Sequence, residues 1–494
     1  MSKKIDRRYR SDLIGCCHRK EKSCSPNFTR RDGQPAADES DSIHESCMED
    51  KMNRKAISAV LSGTMLLSLM AGSMTTVQAA GKTKLTLWHI QTGEMANVIQ
   101  GSVDRFMEAN PDYDVEVVQK QNDTFKTDVS LAAQAGTLPD IFITWGGQTM
   151  YDYADQGLIA DLTEYMNKDN YKDQFVDAGI AQCTYKDKIW AVPVENISVA
   201  GIFYNKDVFD KYNLEEPKTL DDLEKICDTL VENGVAPFAL ANATKWTGSM
   251  FFQYLATRYG GLEPFADAAA GKGSFENDAF EFAGTKIQDW VDKGYFCDGF
   301  NGMDDDSGQA RALFYTGSAA MDLMGSWFTM TIAGENKQFL DDGKLGFFPF
   351  PEIPDSKADQ SLCLGTIGDN LYVVSNKCAD KEAAFKVIQS LLDDEAVKER
   401  TDLAKIIPLK SFKTSDPVVQ EVLDTISKAK GIQLWYDQYL PSEVAEVHKA
   451  TSQEIFGKTI TPAEADKELQ DAMTAYLSKK GTASTEAESA ETEA

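Results

Sequence analysis

One stretch near the middle of the chain constrains the fold most. Residues 189–205 hold two apolar runs separated by a polar pair, Glu195-Asn196. The second run, residues 197–204, is rich in β-branched and aromatic side chains, which predicts a buried strand. A proline at the end of the first run and a polar break between the runs are typical of a chain leaving one sheet for another. We therefore expect Glu195-Asn196 to mark a crossing between two lobes.

Patterns on both sides of this crossing predict strands that alternate with helices. Before it, residues 84–88, 115–118 and 140–145 predict strands, and the two segments between them carry the apolar spacing of helices. After it, residues 320–324 predict another strand, and Thr219 begins a helix with a capping box. Alternation of this kind indicates parallel βαβ units, so we predict an α/β protein.

The length of the chain predicts its domain count, and its net charge limits the partners that it can bind. The chain has 494 residues, which predicts two or more domains. Its 50 basic and 78 acidic residues give a formal net charge of −28. Such a surface repels nucleic acid and anionic membranes, so we expect no nucleic-acid partner.

Residues 52–80 have the segment order of a secretory signal peptide. A basic start around Lys55 precedes an apolar run that is shorter than the roughly 20 residues of a membrane span, and small residues around Ala79 form a cleavage pattern. A membrane anchor is the alternative. We expect an exported protein, extracellular or associated with the cell envelope (periplasmic in a Gram-negative cell). Residues 1–51 are expected to be disordered or not natively translated, and 479–494 to form a disordered acidic tail.

Motifs of catalysis and metal binding are missing from the sequence. It has no G-x-S-x-G, H-E-x-x-H, P-loop or G-x-G-x-x-G pattern, and His89 and His448 alone are too few for a histidine-rich metal cluster. We expect no catalytic residues, no cofactor and no metal, although paired carboxylates leave a glycosidase possible. An odd number of cysteines without C-x-x-C predicts buried thiols: Cys183, Cys227, Cys297, Cys363 and Cys378.

Tryptophans near predicted strand ends and polar loops are the most informative side chains. Sugars present apolar C–H faces and hydroxyl rims, so a sugar site needs flat aromatic surfaces beside carboxylates and amides. Trp145 and Trp327 are the strongest candidates because each has a glycine within two residues. Trp246 and Trp435 come next, and core packing is the alternative for each ring.

Five different short motifs follow one another along the chain. They are Leu-Thr-Leu-Trp at 85–88, Leu-Pro-Asp-Ile at 138–141, Trp-Ala-Val-Pro at 190–193, Phe-Tyr-Asn-Lys at 203–206 and Trp-Tyr-Asp-Gln-Tyr-Leu-Pro at 435–441. Each is weak alone. Together they resemble the extracellular solute-binding proteins of carbohydrate ABC importers, which include maltose-binding protein, and the last motif resembles the raffinose and multiple-sugar branch.

The resemblance implies a two-lobed periplasmic-binding-protein-like fold. Each lobe is expected to be a mostly parallel sheet flanked by helices, and a multi-crossing hinge is expected to join them. Lobe one maps onto residues 81–195 plus 324–382, and lobe two onto 196–323 plus 383–478. Residues 321–327 are expected to form a second crossing that returns the chain to lobe one.

The resemblance also implies a monomeric, non-enzymatic protein that binds a mono- or oligosaccharide and delivers it to the membrane permease of an ABC importer by hinge closure. A secreted glycan-acting hydrolase and a binding protein for a non-sugar solute are the alternatives. Ser73 follows the lipobox-like Leu-Met-Ala-Gly at 69–72, so no cysteine-linked lipid anchor is expected. The ligand-binding residues implied are Gln91, Thr92, Glu94, Trp145, Glu195, Asn196, Trp246, Trp327, Asp369 and Trp435.

Overall fold

A computed structural model describes residues 82–492 of the chain. The predicted signal peptide and the segment 1–51 lie outside these residues. Twelve strands occur in the described part: β1 (Thr83–His89), β2 (Tyr113–Gln119), β3 (Ile141–Thr144), β4 (Thr184–Tyr185), β5 (Lys188–Ile189), β6 (Ile197–Asn205), β7 (Ala236–Phe238), β8 (Ala319–Gly325), β9 (Leu345–Phe348), β10 (Cys363–Ile367), β11 (Leu371–Val374) and β12 (Ile432–Gln433).

Helices flank the strands throughout the described residues. They are α1 (Gly93–Ala109), α2 (Asn122–Ala135), α3 (Gln148–Asp155), α4 (Thr163–Asn167), α5 (Asp177–Gln182), α6 (Lys206–Tyr212), α7 (Leu220–Glu232), α8 (Trp246–Gly260), α9 (Glu263–Ala269), α10 (Asp278–Asp292), α11 (Gln309–Thr316), α12 (Phe328–Glu335), α13 (Lys337–Asp341), α14 (Lys381–Ser390), α15 (Asp394–Asp402), α16 (Pro417–Lys428), α17 (Tyr436–Tyr439), α18 (Ser442–Gly457) and α19 (Pro462–Thr492). Short 3-10 turns lie at Lys168–Gln174, Asn242–Thr244, Phe300–Gly302 and Asp305–Ser307.

Residues at the ends of several helices explain where those helices begin and end. The predicted capping box begins α7: the Thr219 hydroxyl accepts from the Asp222 N–H, and the Asp222 carboxylate accepts from the Thr219 N–H. Helix α1 ends just before Pro111, which cannot continue a helix. The last helix extends to Thr492, into the stretch predicted to be a tail. None of the helices within residues 82–492 is long and apolar enough to span a membrane.

The first sheet has the order β11-β3-β1-β2. Strand β1 runs parallel to β2 and to β3, with α1 and α2 as the connections, so the two predicted βαβ units are confirmed. Only β11 is antiparallel, and it pairs with β3 at the edge. The carboxyl ends of β1 and β3 therefore meet on one rim, where ligands bind in open α/β sheets.

The second sheet has the order β12-β10-β6-β8-β7 and is built around β6. All nine residues of β6 are buried, in keeping with the β-branched and aromatic run that predicted it. Its partners β8, β9 and β10 all run antiparallel to it, while β7 is parallel to β8. This sheet is therefore mixed and not mostly parallel as predicted.

Strand pairing shows where the chain passes between the sheets. Glu195-Asn196 is a crossing, as predicted: Val192 still bridges to Tyr372 beside the first sheet, and β6 of the second sheet begins directly after. Residues 321–327 are not a crossing, because β8 stays paired with β6 and β7. The chain returns later, between β10 and β11, through residues 368–370.

The predicted residue ranges of the two lobes differ from those that the strand pairing and the cores define. Strands β9 and β10 lie within residues 324–382, which we assigned to lobe one, yet both pair with β6. Helix α14, which we assigned to lobe two, buries its apolar face in the core of the first sheet. The third passage, back to the second lobe, lies within residues 404–418. Side chains alternate between the cores there: Ala404 and Ile406 pack in the second core, Ile407 and Leu409 in the first, and Val418 in the second.

Hydrogen bonds hold the passages side by side. The N–H groups of Gly368 and Asp369 donate to the Asn196 carbonyl at 3.1 and 2.9 Å, and the Ile197 N–H donates to the Ile406 carbonyl at 2.9 Å. The two lobes are thus joined by three adjacent backbone segments. The five cysteines of the described chain are buried and unpaired, as the sequence predicted.

Candidate functional site

A cavity of about 420 Å³ lies beside these three passages. Small-molecule sites in proteins are typically roughly 300–1,000 Å³. Side chains from both lobes line it. The loop after β1 and the carboxyl end of β3 face the cavity from the first lobe. The segment after β8 and the starts of α8 and α17 face it from the second lobe.

Three tryptophans of the second lobe form one wall. The ring of Trp327 lies 5.8 Å from that of Trp435 and 5.9 Å from that of Trp246, centroid to centroid, with interplanar angles of 60° and 61°. Trp327 lies two residues after Gly325, the last residue of β8, and Gly325 makes room for it: a Cβ on Gly325 would lie 2.0 Å from the Trp327 ring. The Nε1 of Trp435 is buried and has no hydrogen-bond partner within the described chain.

Trp145 lines the cavity from the first lobe, with 5% of its surface exposed. It follows β3 and is braced edge-to-face by Phe125, 6.0 Å away. The ammonium of Lys126 lies 4.7 Å from its ring centroid and donates to Asp437 Oδ2 at 3.1 Å. Burial alone would raise the pKa of Asp437, but the positive charges of Lys126 and Lys449 outweigh it and lower that pKa. This ion pair joins the two lobes at the edge of the cavity.

Arg311 and two carboxylates of the second lobe add charged groups to the lining of the cavity. Arg311 donates from Nε and Nη2 to the Glu335 carboxylate, with a shortest distance of 2.7 Å, and from Nη1 to Asp305 Oδ1 at 3.0 Å. Burial raises the pKa of Asp305 to about 6 despite the adjacent guanidinium. These carboxylates and the guanidinium offer both acceptors and donors at the cavity surface.

The passages contribute further polar groups. Asn196, Asp369 and Asn370 all line the cavity. The side-chain oxygens of Asn196 and Asn370 are buried and accept no hydrogen bond from any described residue. Burial raises the pKa of Asp369 to about 6. A buried acceptor without a donor costs roughly 1–3 kcal/mol, which a bound hydroxyl group would relieve.

Glu195 is absent from the cavity surface, although the sequence pointed to it as a ligand contact. It is fully buried. Tyr372 donates to it at 3.1 Å, Lys405 donates to its other oxygen, and Arg400 lies 3.6 Å away. Burial opposes its charge, but Lys405 and Arg400 outweigh that effect and lower the pKa of Glu195 to about 2. Its role in the structure is an ion pair between two passages.

Eight of the ten predicted site residues line the cavity: Gln91, Thr92, Trp145, Asn196, Trp246, Trp327, Asp369 and Trp435. The two exceptions are Glu195 and Glu94. Glu94 lies at an exposed position of α1 and accepts from the Asn97 side chain at 3.2 Å. Sequence reasoning missed Lys405, Arg311 and Glu335. Asp305 and Asp306 also line the cavity, and no local sequence pattern connects this acidic run to Arg311.

Comparison with known proteins decides the family. The model of the family described as bacterial extracellular solute-binding protein matches residues 92–398. The chain belongs to this family. A Pyrococcus horikoshii member, named as an uncharacterized ABC transporter extracellular-binding protein, is 25% identical over 74% of this chain and 83% of its own.

Solved structures superpose on the two-lobed fold of this chain. One, from work on xylan utilization by Caldanaerobius polysaccharolyticus, is 31% identical and superposes with a TM-score of 0.74 over 78% of this chain and 99% of its own. Another, the solute-binding protein RafE in complex with raffinose, is 20% identical, with a TM-score of 0.66 over 79% of this chain and 99% of its own. The second likeness bears on the fold alone.

Proposed function

We propose that this solute-binding protein holds a carbohydrate in the cavity between its lobes. The observation that carries the proposal is the wall of three tryptophans, in which Trp327 contacts both Trp246 and Trp435, beside carboxylates and amides. Flat rings match the apolar faces of sugar units, and the polar groups match their hydroxyls. One solved neighbour, which is 31% identical and comes from work on xylan utilization, agrees with a sugar ligand.

The position of each side chain in the cavity indicates its contact with the sugar. Trp327 and Trp145 stack on sugar faces from opposite lobes, and Trp246 and Trp435 extend the first of these surfaces. Asn196, Asp369, Gln91 and Thr92 exchange hydrogen bonds with hydroxyls. Because the ligand touches both lobes at once, it stabilises their closed arrangement.

We further propose that the closed form delivers the sugar to the permease of an ABC importer outside the cytoplasm, that the protein acts as an exported monomer, and that it releases its ligand unchanged. A hydrolase needs an acid and a second carboxylate placed across the scissile bond. In the described cavity, Arg311 engages both Asp305 and Glu335, and Lys126 engages Asp437, so Asp306 and Asp369 are the lining carboxylates outside these ion pairs.

Thermal unfolding with a panel of sugars tests this function. The panel covers monosaccharides, raffinose, stachyose and linear α-glucan, β-xylan and chitin oligosaccharides. A ligand at 100 times its Kd stabilises the folded state by about 2.7 kcal/mol, so we expect one chemical series to raise the unfolding temperature. Chromatography of the recovered sugar is expected to show it intact. No shift with any sugar, or conversion of a sugar that binds, would contradict the proposal.

A further inference from the structure

Residues 435–438 carry several side chains of the cavity lining. Trp435 packs against Trp327 in the aromatic wall, and Asp437 forms the ion pair that joins the two lobes. Both belong to the start of α17, a helix of only four residues, and its N-cap Trp435 provides no side-chain hydrogen bond to the first turn. So short a helix is not stable by itself in water, and its position therefore depends on the residues packed around it.

A glutamine of α8 binds the first backbone N–H of this helix. Gln253 is buried, and its Oε1 accepts from the Tyr436 N–H at 3.1 Å. This N–H is one of the N-terminal donors that have no partner inside a helix. Because Tyr436 stands between Trp435 and Asp437, the hydrogen bond fixes the backbone that carries both of these side chains. Gln253 itself is not part of the cavity lining.

Two further buried residues orient the Gln253 amide. Its Nε2 donates to the Ser249 hydroxyl oxygen at 2.6 Å, and that oxygen lies 2.7 Å from Nε2 of His448 on α18. Burial lowers the pKa of His448 to about 4, so its imidazole is neutral at pH 7 and can accept the serine proton. Each donor in the series then has an acceptor, and the amide oxygen is left to face Tyr436. Gln253, Ser249 and His448 thus form a relay of hydrogen bonds from α18 through α8 to α17.

We propose that this relay positions the sugar site, since it holds Trp435 and Asp437 in place without touching the ligand. The inference rests on the proposed function, because it concerns the cavity that the sugar is proposed to occupy. All three side chains of the relay lie outside the cavity lining, so they act only through the residues that they hold. When the Tyr436 N–H loses its acceptor, the start of α17 can shift, and the aromatic wall and the bridge between the lobes shift with it.

Calorimetric titration of the best sugar from the panel into variants of Gln253 tests this role. Gln253→Met removes both hydrogen bonds of the amide at similar volume, and we expect at least a tenfold loss of affinity. Gln253→Glu is expected to bind as the wild-type protein does, because burial keeps the carboxyl neutral, able to accept from Tyr436 and donate to Ser249. Gln288→Met is the matched control. Gln288 of α10 donates to the Ile460 carbonyl at 2.8 Å in the same lobe, outside the cavity lining, so its loss is expected to leave affinity unchanged.

A second measurement separates positioning from a general loss of stability. In a protein that already carries Trp435→Ala, Gln253→Met is expected to lower affinity less than threefold, because one of the side chains that it positions is absent. Urea unfolding of each variant shows that it is folded at the temperature of titration. Ser249→Ala is a smaller change that leaves the Gln253 amide without its acceptor, and we expect it to lower affinity at least threefold even where Gln253→Met does not fold.

The outcomes distinguish the relay from the proposed function. If Gln253→Met and Ser249→Ala fold and bind the sugar with the Kd of the wild-type protein, the relay does not position the site and the proposed function stands. Equal losses of affinity for Gln253→Met and Gln288→Met would assign the effect to the stability of the lobe and overturn the inference as well. If no sugar binds the wild-type protein, the proposed function fails and the inference fails with it.

Discussion

The carboxylate of Glu195 shows how a single residue can be recognised as important and still be given the wrong role. The sequence placed it correctly at a crossing between lobes. Its partners, Lys405 and Arg400, lie more than 200 positions away in the chain, and no local pattern connects them to it. A fully buried carboxylate requires such partners. The four tryptophans predicted as site residues all line the cavity. A tryptophan beside a polar loop indicates an aromatic surface without reference to a distant partner.

Removing the positive partner tests the structural role of Glu195. Lys405→Met leaves the carboxylate with Arg400 at 3.6 Å and no close ammonium. Breaking a buried ion pair from one side costs about 3–5 kcal/mol, so we expect urea unfolding to show a loss of that size. The double variant Glu195→Gln, Lys405→Met is expected to recover part of it, because no uncompensated carboxylate remains. A loss below about 1 kcal/mol for the single variant would refute the role.

The buried imidazole of His448 predicts a pH dependence of stability. Its Nε2 lies 2.7 Å from the Ser249 hydroxyl, and burial lowers its pKa to about 4 from 6.5. Between these values the unfolded chain binds the proton and the folded protein does not. The contribution of His448 is therefore complete above pH 6.5 and is lost as the pH falls to about 4.

The variant His448→Gln isolates this effect. Between pH 7 and pH 4 the free energy of unfolding of the wild-type protein is expected to fall by about 3 kcal/mol more than that of the variant. Urea unfolding at each pH measures the difference, in which the titration of all other groups cancels. Parallel pH profiles for the two proteins would show that His448 does not titrate as described.

At the scale of elements, the end of β8 determines where Trp327 lies. Gly325→Ala adds a Cβ that meets the indole at 2.0 Å, so the ring must move away from the wall. We expect at least a tenfold loss of sugar affinity by calorimetry, about 1.4 kcal/mol. Gly334→Ala, in the helix that follows, is the matched control because its Cβ meets nothing within 4 Å. Equal affinities for the two variants would show that Gly325 does not position Trp327.

Elements with a strong local pattern were predictable, and their partners were not. The two βαβ units, the buried strand β6 and the capped helix α7 follow from periodicity and capping residues. Strand β10 was missed, and with it the true return crossing, since its sequence Cys-Leu-Gly-Thr-Ile has weak alternation and carries a glycine. That glycine is needed: a Cβ on Gly365 would lie 2.1 Å from the Ser198 carbonyl oxygen across the antiparallel pair.

At the scale of the whole molecule, the account rests on two lobes that share one ligand. Three adjacent passages join them, and the ion pair between Lys126 and Asp437 is a side-chain bridge at the cavity edge. The aromatic surfaces come from different lobes: Trp145 packs in the first core and Trp327 against the second. A solute that bridges them depends on both surfaces.

The most direct test is calorimetric titration of the best sugar from the panel into Trp145→Ala, Trp327→Ala and Trp88→Ala. Trp88 is a partly buried tryptophan of β1 outside the cavity, so it controls for the loss of a large ring. We expect each cavity variant to lose at least tenfold in affinity, about 1.4 kcal/mol, and Trp88→Ala to bind as the wild-type protein does. If Trp145→Ala and Trp327→Ala fold and bind the sugar with unchanged Kd, the carbohydrate does not lie between the lobes and the central claim is wrong.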